Sequence, residues 1–239
     1  MRYPSFFLSR QEIAEGTMAF VFQKPDDFTY RAGQNADYFL LNPPETDDKG
    51  NKRTFSFVSA PDEPHLTVAT RMRDSAFKRV LKNAPIGMPL EIDGPYGDMT
   101  LHQDAAKPAV FLAGGIGITP FMSMIRHAAH AKLPHKIFLF YSNRRPEDAA
   151  FLSELQEGEE QNPNFDLIAT MTEMEKSSKP WSGKTGYIDD AMVRAKIQDV
   201  TAPIYYLAGP GSMVKAMRGL LGKLGVSDDN IRTEEFTGY

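Results

Sequence analysis

Residues 109–120, Ala-Val-Phe-Leu-Ala-Gly-Gly-Ile-Gly-Ile-Thr-Pro, constrain the fold of this chain more than any other stretch. A short apolar run from Val110 to Ala113 breaks into three glycines and then into an apolar-periodic segment from Phe121 to about Ala131. That pattern predicts a buried strand, a tight turn and the start of a helix. Thr119 is the expected N-cap, and Pro120 suits the opening of a helix because its missing N–H costs nothing there. The free N–H groups and dipole of such a helix end suit a pyrophosphate. Pro120 stands where the third glycine of a dinucleotide fingerprint would be, so the stretch also fits an ordinary strand–helix turn.

The halves on either side of residue 103 differ in texture. Before it, short alternating strands are expected at Met18–Phe22, Tyr38–Leu41, Thr54–Val58, Leu66–Thr70 and Leu90–Ile92. Turn clusters at Lys24–Asp27 and Asn42–Asn51 separate them. Strands at that spacing, with one helix at Ser75–Asn83, predict a small antiparallel barrel. Ala76, Phe77, Val80 and Leu81 form the helix's apolar face, and Ser75 or Asp74 is placed to cap it beside Arg71 and Arg73. On a strand at 53–56, Arg53 and Phe55 share one side while Thr54 and Ser56 share the other. A guanidinium there can hold a phosphate, an aromatic can stack on a ring system and a hydroxyl can bond a ring nitrogen. Gly94-Pro95-Tyr96-Gly97 predicts the turn that closes the barrel.

After Pro108 strands and helices alternate. Strands are expected at Ala109–Ala113, Ile137–Tyr141, Phe165–Thr170 and Ile204–Leu207, and helices near Phe121–Ala131, Pro146–Glu157, Asp189–Lys196 and Ser212–Leu224. This alternation predicts an α/β Rossmann-like parallel sheet. The chain is therefore expected to hold two domains, an antiparallel barrel over 1–103 and an α/β nucleotide-binding domain over 104–239. A net charge of −4 speaks against a general nucleic-acid binder, and no apolar run is long enough to span a membrane. The absence of cysteine excludes disulfides and Cys-ligated iron–sulfur clusters carried by these residues, and points to a cytoplasmic protein with no metal site.

Arg53-Thr54-Phe55-Ser56 resembles the Arg-x-Tyr/Phe-Ser/Thr flavin motif of the ferredoxin–NAD(P)H reductase family. The later order fits as well: a phosphate-binding helix, a Gly-Pro-x-Gly turn, and the Gly-Gly-x-Gly-x-Thr-Pro loop. Trp181 to Ile188 resembles the family's Trp-x-x-x-x-Gly-aromatic-aliphatic segment. Leu207-Ala208-Gly209-Pro210-Gly211-Ser212-Met213 resembles its Cys-Gly-Pro-x-x-Met turn, with Ala208 in place of the cysteine. The resemblance implies bound FAD, with FMN the less favoured flavin. Arg53 would hold its phosphate together with Thr54, Phe55 would stack on the ring, and Ser56 would approach N5. Arg71, Ser75, Ala76 and Phe77 would close over the phosphates, although many members carry Gly-x-x-Ser/Thr where this chain has Arg73-Asp74-Ser75-Ala76-Phe77. Gly114, Gly115, Gly117 and Thr119, then Ser142, Asn143 and Arg144, then Gly209, Pro210 and Met213, would receive NADH or NADPH. Glu234 and Phe236 reproduce the family's carboxylate two positions before a ring-covering aromatic, with Tyr239 the alternative ring.

The choice of coenzyme turns on two features. Arg144 and Arg145 after the second parallel strand suit a 2′-phosphate, whereas Glu173 would repel one, and the balance leans to NADH. The implied activity is hydride transfer from NAD(P)H to flavin, then electron transfer to a separate carrier such as a ferredoxin, a flavodoxin or an oxygenase component. Lys78, Arg79 and Lys82 offer a basic face for an acidic partner. The alternatives are reduction of free flavin or another small acceptor, and a nucleotide-binding subunit without turnover.

Overall fold

A computed structural model of the chain describes residues 1–236. The first sheet contains β1 (Arg2–Ala14), β2 (Thr17–Gln23), β3 (Asn35–Leu40), β4 (Lys52–Ser56), β5 (His65–Arg71) and β6 (Pro89–Tyr96). Their order is β4-β3-β6-β1-β2-β5, and every pairing is antiparallel. The two edges meet where Phe57 bridges Val68 and Val58 N–H donates to Thr67 O at 2.8 Å, which closes the sheet into a barrel. Alternation sends Phe20 and Phe22 of β2 inward, where they pack with Phe7, Tyr38, Phe57 and Leu90. Helix α1 (Ala76–Asn83) covers the barrel with the expected face of Ala76, Phe77, Val80 and Leu81.

β1 has no counterpart among the expected strands. Its sequence carries Pro4 and a polar run from Ser9 to Glu12, and only Ser5 and Phe7 are buried. Tertiary pairing on both sides, to β2 and β6, holds it extended where its own pattern is weak.

The second sheet holds β7 (Ala109–Gly114), β8 (Ile137–Asn143), β9 (Phe165–Met171), β10 (Lys184–Thr185), β11 (Ile204–Pro210) and β12 (Ile231–Phe236). All pairings are parallel, in the order β10-β9-β8-β7-β11-β12. Every residue of β7 is buried, as a central parallel strand requires. Ala109, Phe111 and Ala113 face α2 (Ile118–His130) and the barrel, while Val110 and Leu112 face α5 (Gly211–Lys223). Helices α3 (Leu152–Gln161) and α4 (Asp190–Lys196) complete the layers. The expected helix over 146–157 is instead a short 3-10 turn at Pro146–Asp148 followed by α3, because Phe151 adopts a left-handed conformation (φ 60°) between them.

Strand order reverses between β7 and β11, so a crevice opens at their carboxyl ends. The two sheets join through one apolar cluster in which Ala19, Ala32, Val58 and Ala69 of the barrel meet Phe121, Met122 and Met124 of α2. Ser123 Oγ donates to Ser59 O at 2.6 Å across that boundary, and Arg71 pairs with Asp148 at 3.1 Å. No helix among the described residues is long and apolar enough to cross a membrane.

Candidate functional site

A cleft of about 740 Å³ lies between the barrel and the glycine turn. Of the residues expected at a site, it gathers Arg53, Thr54, Phe55, Ser56, Arg71, Ser75, Thr119, Glu234 and Phe236 along one wall or another. Ile116 reaches the same space, so the turn after β7 and the barrel strand β4 face each other across it. β12 supplies the far end. Glu234 and Phe236 are half-buried on one side of that strand and Glu235 is exposed on the other, as a period of two dictates.

The cationic end of the cleft centres on Arg53. Its Nη2 donates to both oxygens of Asp47 (2.7 and 2.9 Å) and to Ser75 Oγ (3.3 Å), while Nη1 donates to the carbonyls of Lys49, Gly50 and Lys52. Asp47 Oδ2 also accepts the N–H of Ala76, the first residue of α1, at 3.0 Å. The expected cap by Ser75 or Asp74 is therefore replaced. Ser75 makes no side-chain cap bond, Asp74 pairs with Arg79, and a carboxylate from the β3–β4 loop takes the helix end. The Arg53 guanidinium holds the Asp47 carboxyl below its ordinary value. Lys78, one turn into α1, donates to Arg71 O at 2.7 Å and faces Arg53, Arg73 and Lys49. Burial first, and these cations next, push its ammonium down to about 8. Lys49, Arg53, Arg73 and Lys78 share this end of the cleft with Asp47, Asp48 and Asp74, and the Arg53 guanidinium and the Ala76 N–H are donors of the kind an anion takes.

The basic face expected on α1 does not stand free. Lys78 is turned into the cleft, and Arg79, although exposed, is tied to Glu45 and Asp74, while Lys82 stands exposed in the last turn. Arg71 is drawn toward the second domain by Asp148. Two further expectations are corrected. Phe77 is 2% exposed and packs in the barrel core against Phe55, away from the cleft. Ala76 contributes its backbone N–H rather than its side chain. Phe55 is 8% exposed, seated between Tyr38 and Phe77, and presents only a margin to the cleft. Thr54 points outward and bonds Asp37.

At the opposite end, Glu234 Oε1 accepts from Ser56 Oγ at 3.3 Å and from Asn35 Nδ2 at 3.5 Å, and its buried Oε2 has no partner among the described residues. Burial raises the carboxyl above its usual range, partly offset by the Ser56 and Asn35 hydrogen bonds. A buried carboxyl therefore touches the strand that carries Arg53. Asn35, whose role sequence reasoning missed, sits opposite Ser56 in the β3–β4 register and is thereby aimed at Glu234.

The crevice between β7 and β11 is made of backbone. Gly115 takes a positive φ (52°) that turns the chain off β7. A Cβ on Gly117 would lie 2.2 Å from Ala208 O and 2.6 Å from Gly209 N, so the glycine lets the start of α2 lie flat on β11. Thr119 is not the N-cap. That position falls on Gly117, and the buried Thr119 hydroxyl turns back to Ile116 O at 3.1 Å. Met213 fills the space beside Gly114 where a side chain would stand, and Gly209 lies against the Gly114 backbone, with Pro210 following at the edge. Ser142 pairs with Gly114 in register at the end of β8. Beside it Asn143 is buried, and neither of its side-chain amide atoms has a hydrogen-bond partner among the described residues. Arg144 is exposed, 3.8 Å from Glu173. Arg145 is committed to Asp148 (2.9 Å) and Glu15 (3.0 Å). Tyr239 lies outside the described residues.

An antiparallel barrel joined to a parallel sheet, with a cationic cleft on the first and a glycine crevice on the second, defines the class. The chain's two-domain fold is that of ferredoxin–NAD(P)H reductase-like proteins. A family model described as an oxidoreductase NAD-binding domain matches residues 111–219. The glycine betaine monooxygenase reductase subunit of Chromohalobacter salexigens is 28% identical over 223 residues, covering 92% of this chain and 60% of that protein. The terephthalate 1,2-dioxygenase reductase component 1 of a Comamonas species is 26% identical over 209 residues, covering 87% and 59%. The chain thus spans about three fifths of the length of these relatives. Among solved structures, a ferredoxin NADP+ reductase from Neisseria gonorrhoeae with bound FAD and NADP superposes with a TM-score of 0.81 at 19% identity over 98% of each chain. The Amycolatopsis cytochrome P450 reductase GcoB gives 0.83 at 21% identity, over 99% of this chain and 71% of that one.

Proposed function

We propose that the chain is an NADH-dependent flavoprotein reductase that passes electrons from a bound FAD to a separate acceptor, an oxygenase component or small carrier protein of the kind its curated relatives serve. The observation that carries this reading is the cleft itself, where a cation cluster at a helix start adjoins a hydroxyl–carboxyl pair and an aromatic. The residues present fit a flavin dinucleotide. Arg53, the Ala76 N–H, Ser75 and Lys78 would hold its phosphates. A flavin held there would supply acceptance of a hydride from a nicotinamide and release of the electrons one or two at a time.

The chain's own groups supply position and proton control. Ser56 fixes the flavin edge of β4, Thr54 braces that strand through Asp37, and Phe55 supports the ring from the barrel side. Glu234 keeps a proton in reach of Ser56 because burial disfavours its charged form. Phe236 covers the cleft between barrel and crevice until a nicotinamide displaces it. Gly114, Gly115, Gly117, Gly209, Pro210 and Met213 shape the coenzyme crevice, and Ser142, Asn143 and Arg144 border it. The preference for NADH is supported by Glu173, whose carboxylate stands beside Arg144, and by the commitment of Arg145 to two carboxylates. We place the domain boundary at residues 103 and 104, between the barrel's last strand and β7, and the protein in the cytoplasm.

The test is flavin binding. The purified chain is expected to carry or take up FAD, and Arg53→Ala to weaken it by about 10- to 100-fold, the loss of a charged bidentate contact of roughly 1.5–3 kcal/mol. Undiminished occupancy and an unchanged dissociation constant in Arg53→Ala would sink the assignment.

A further inference from the structure

The loop between β3 and β4 puts an acid where the proposed flavin phosphate belongs. Asp47 accepts from Arg53 twice, from the Ala76 N–H at the start of α1, and from the Lys49 N–H at 3.0 Å. Guanidinium, helix N–H and the neighbouring Ser75 hydroxyl are the donors a phosphoryl oxygen seeks. The loop is pinned at its neck, where Leu40 N–H donates to Asn51 O and Asn51 Nδ2 donates to Leu40 O, and by Glu45 on Arg79. Between these anchors the tip is held by Arg53, through Asp47 and the Lys49 and Gly50 carbonyls, and by the Ala76 N–H, so an anion on the same donors competes with it directly.

We infer that Asp47 is a built-in substitute for the flavin phosphate, seated on Arg53 and the α1 N-terminus while the flavin is absent and expelled when it binds. The inference rests on the flavin reading above. One carboxylate brings a single negative charge to a cluster that also holds Lys78, Arg73 and Lys49. Lys78 lines the same cleft, and with Asp47 in place its ammonium donates to a neutral carbonyl, Arg71 O, at 2.7 Å. A pyrophosphate brings more charge to the same donors and displaces the substitute. The exchange has two consequences. Arg53 and the helix end are never left without an anion, so the flavin-free chain keeps its fold around the seat. The observed flavin dissociation constant is the intrinsic one divided by the fraction of time the seat stands open, so the observed affinity is the lower of the two.

Serial dilution of the flavin-loaded protein, read by the fluorescence of released FAD, measures this directly in the wild type, Asp47→Ala and Asp47→Asn. If Asp47 fills the seat about nine-tenths of the time, both variants bind FAD about tenfold more tightly. In the flavin-free proteins, both variants are expected to melt below the wild type, and inorganic pyrophosphate to raise their melting temperatures more than it raises the wild type's. Equal or weaker FAD binding by the variants overturns the inference, because Asp47 would then support Arg53 in the loaded protein. An equal pyrophosphate response in all three overturns it as well. A wild type that binds no FAD at all contradicts the flavin reading instead, and the pyrophosphate comparison still decides whether Asp47 exchanges with an anion.

Discussion

Two helices in this molecule begin beside a place for a phosphate, and they prepare for it in opposite ways. The start of α1 is crowded with charge: Arg53 and Lys78 close by, Ser75 beside them, and a carboxylate already seated on its first N–H. The start of α2 has no charged residue in its first turn and no side-chain cap, only Ile118, Thr119, Pro120 and Phe121, all buried, after three glycines. Recognition by fixed cations is strong and long-lived, whereas backbone N–H groups and a helix dipole hold an anion more weakly. The contrast matches the two jobs of the proposed reductase. Its flavin stays through many turnovers, and its nicotinamide nucleotide must leave after each one.

Substitution at Gly117 sharpens the contrast most. An alanine Cβ there would meet backbone at 2.2 Å, so α2 must shift off β11. Gly117→Ala is expected to lose about 1–3 kcal/mol of stability by overpacking and to raise the apparent NADH constant severalfold, while FAD content stays normal. Denaturant melts and steady-state kinetics read the two effects. Loss of flavin with normal nucleotide binding would reverse the roles given to the two helix starts.

A smaller effect is expected where the two regions meet. Phe236 lines the cleft opposite Phe55 and Ser56, and a ring that a nicotinamide must displace lowers that ligand's affinity. Phe236→Ala is expected to tighten nicotinamide binding about threefold and to change the rate of flavin bleaching in stopped flow, with FAD affinity unmoved. Wild-type values for both would remove the aromatic from the account.

The glycine turn, the barrel and the alternation after Pro108 are legible in the sequence because each depends on local pattern: period two, period 3.6 and the placement of glycine. The apolar face of α1 follows from the same logic. What the sequence hides is set by tertiary partners. β1 is held by strands on both sides despite its polar middle. The α1 cap comes from Asp47, 29 residues before Ala76, and no local cue joins them. Arg145 looks free in the chain, yet Asp148 and Glu15 hold it. Thr119 satisfies the N-cap pattern, but the chain enters α2 one turn earlier through Gly115–Gly117, and its hydroxyl goes to Ile116.

The measurement closest to the central claim follows one flavin-loaded sample at low and high salt, near 50 and 500 mM, where screening lengths differ several-fold. The FAD dissociation constant and the NADH concentration that half-saturates anaerobic bleaching of the flavin are recorded at both. The account expects NADH to bleach the flavin, the FAD constant to weaken about tenfold with salt, and the NADH constant to move less than about twofold. An NADH constant that follows salt as steeply as the FAD constant, or a flavin that NADH leaves oxidised, would contradict it.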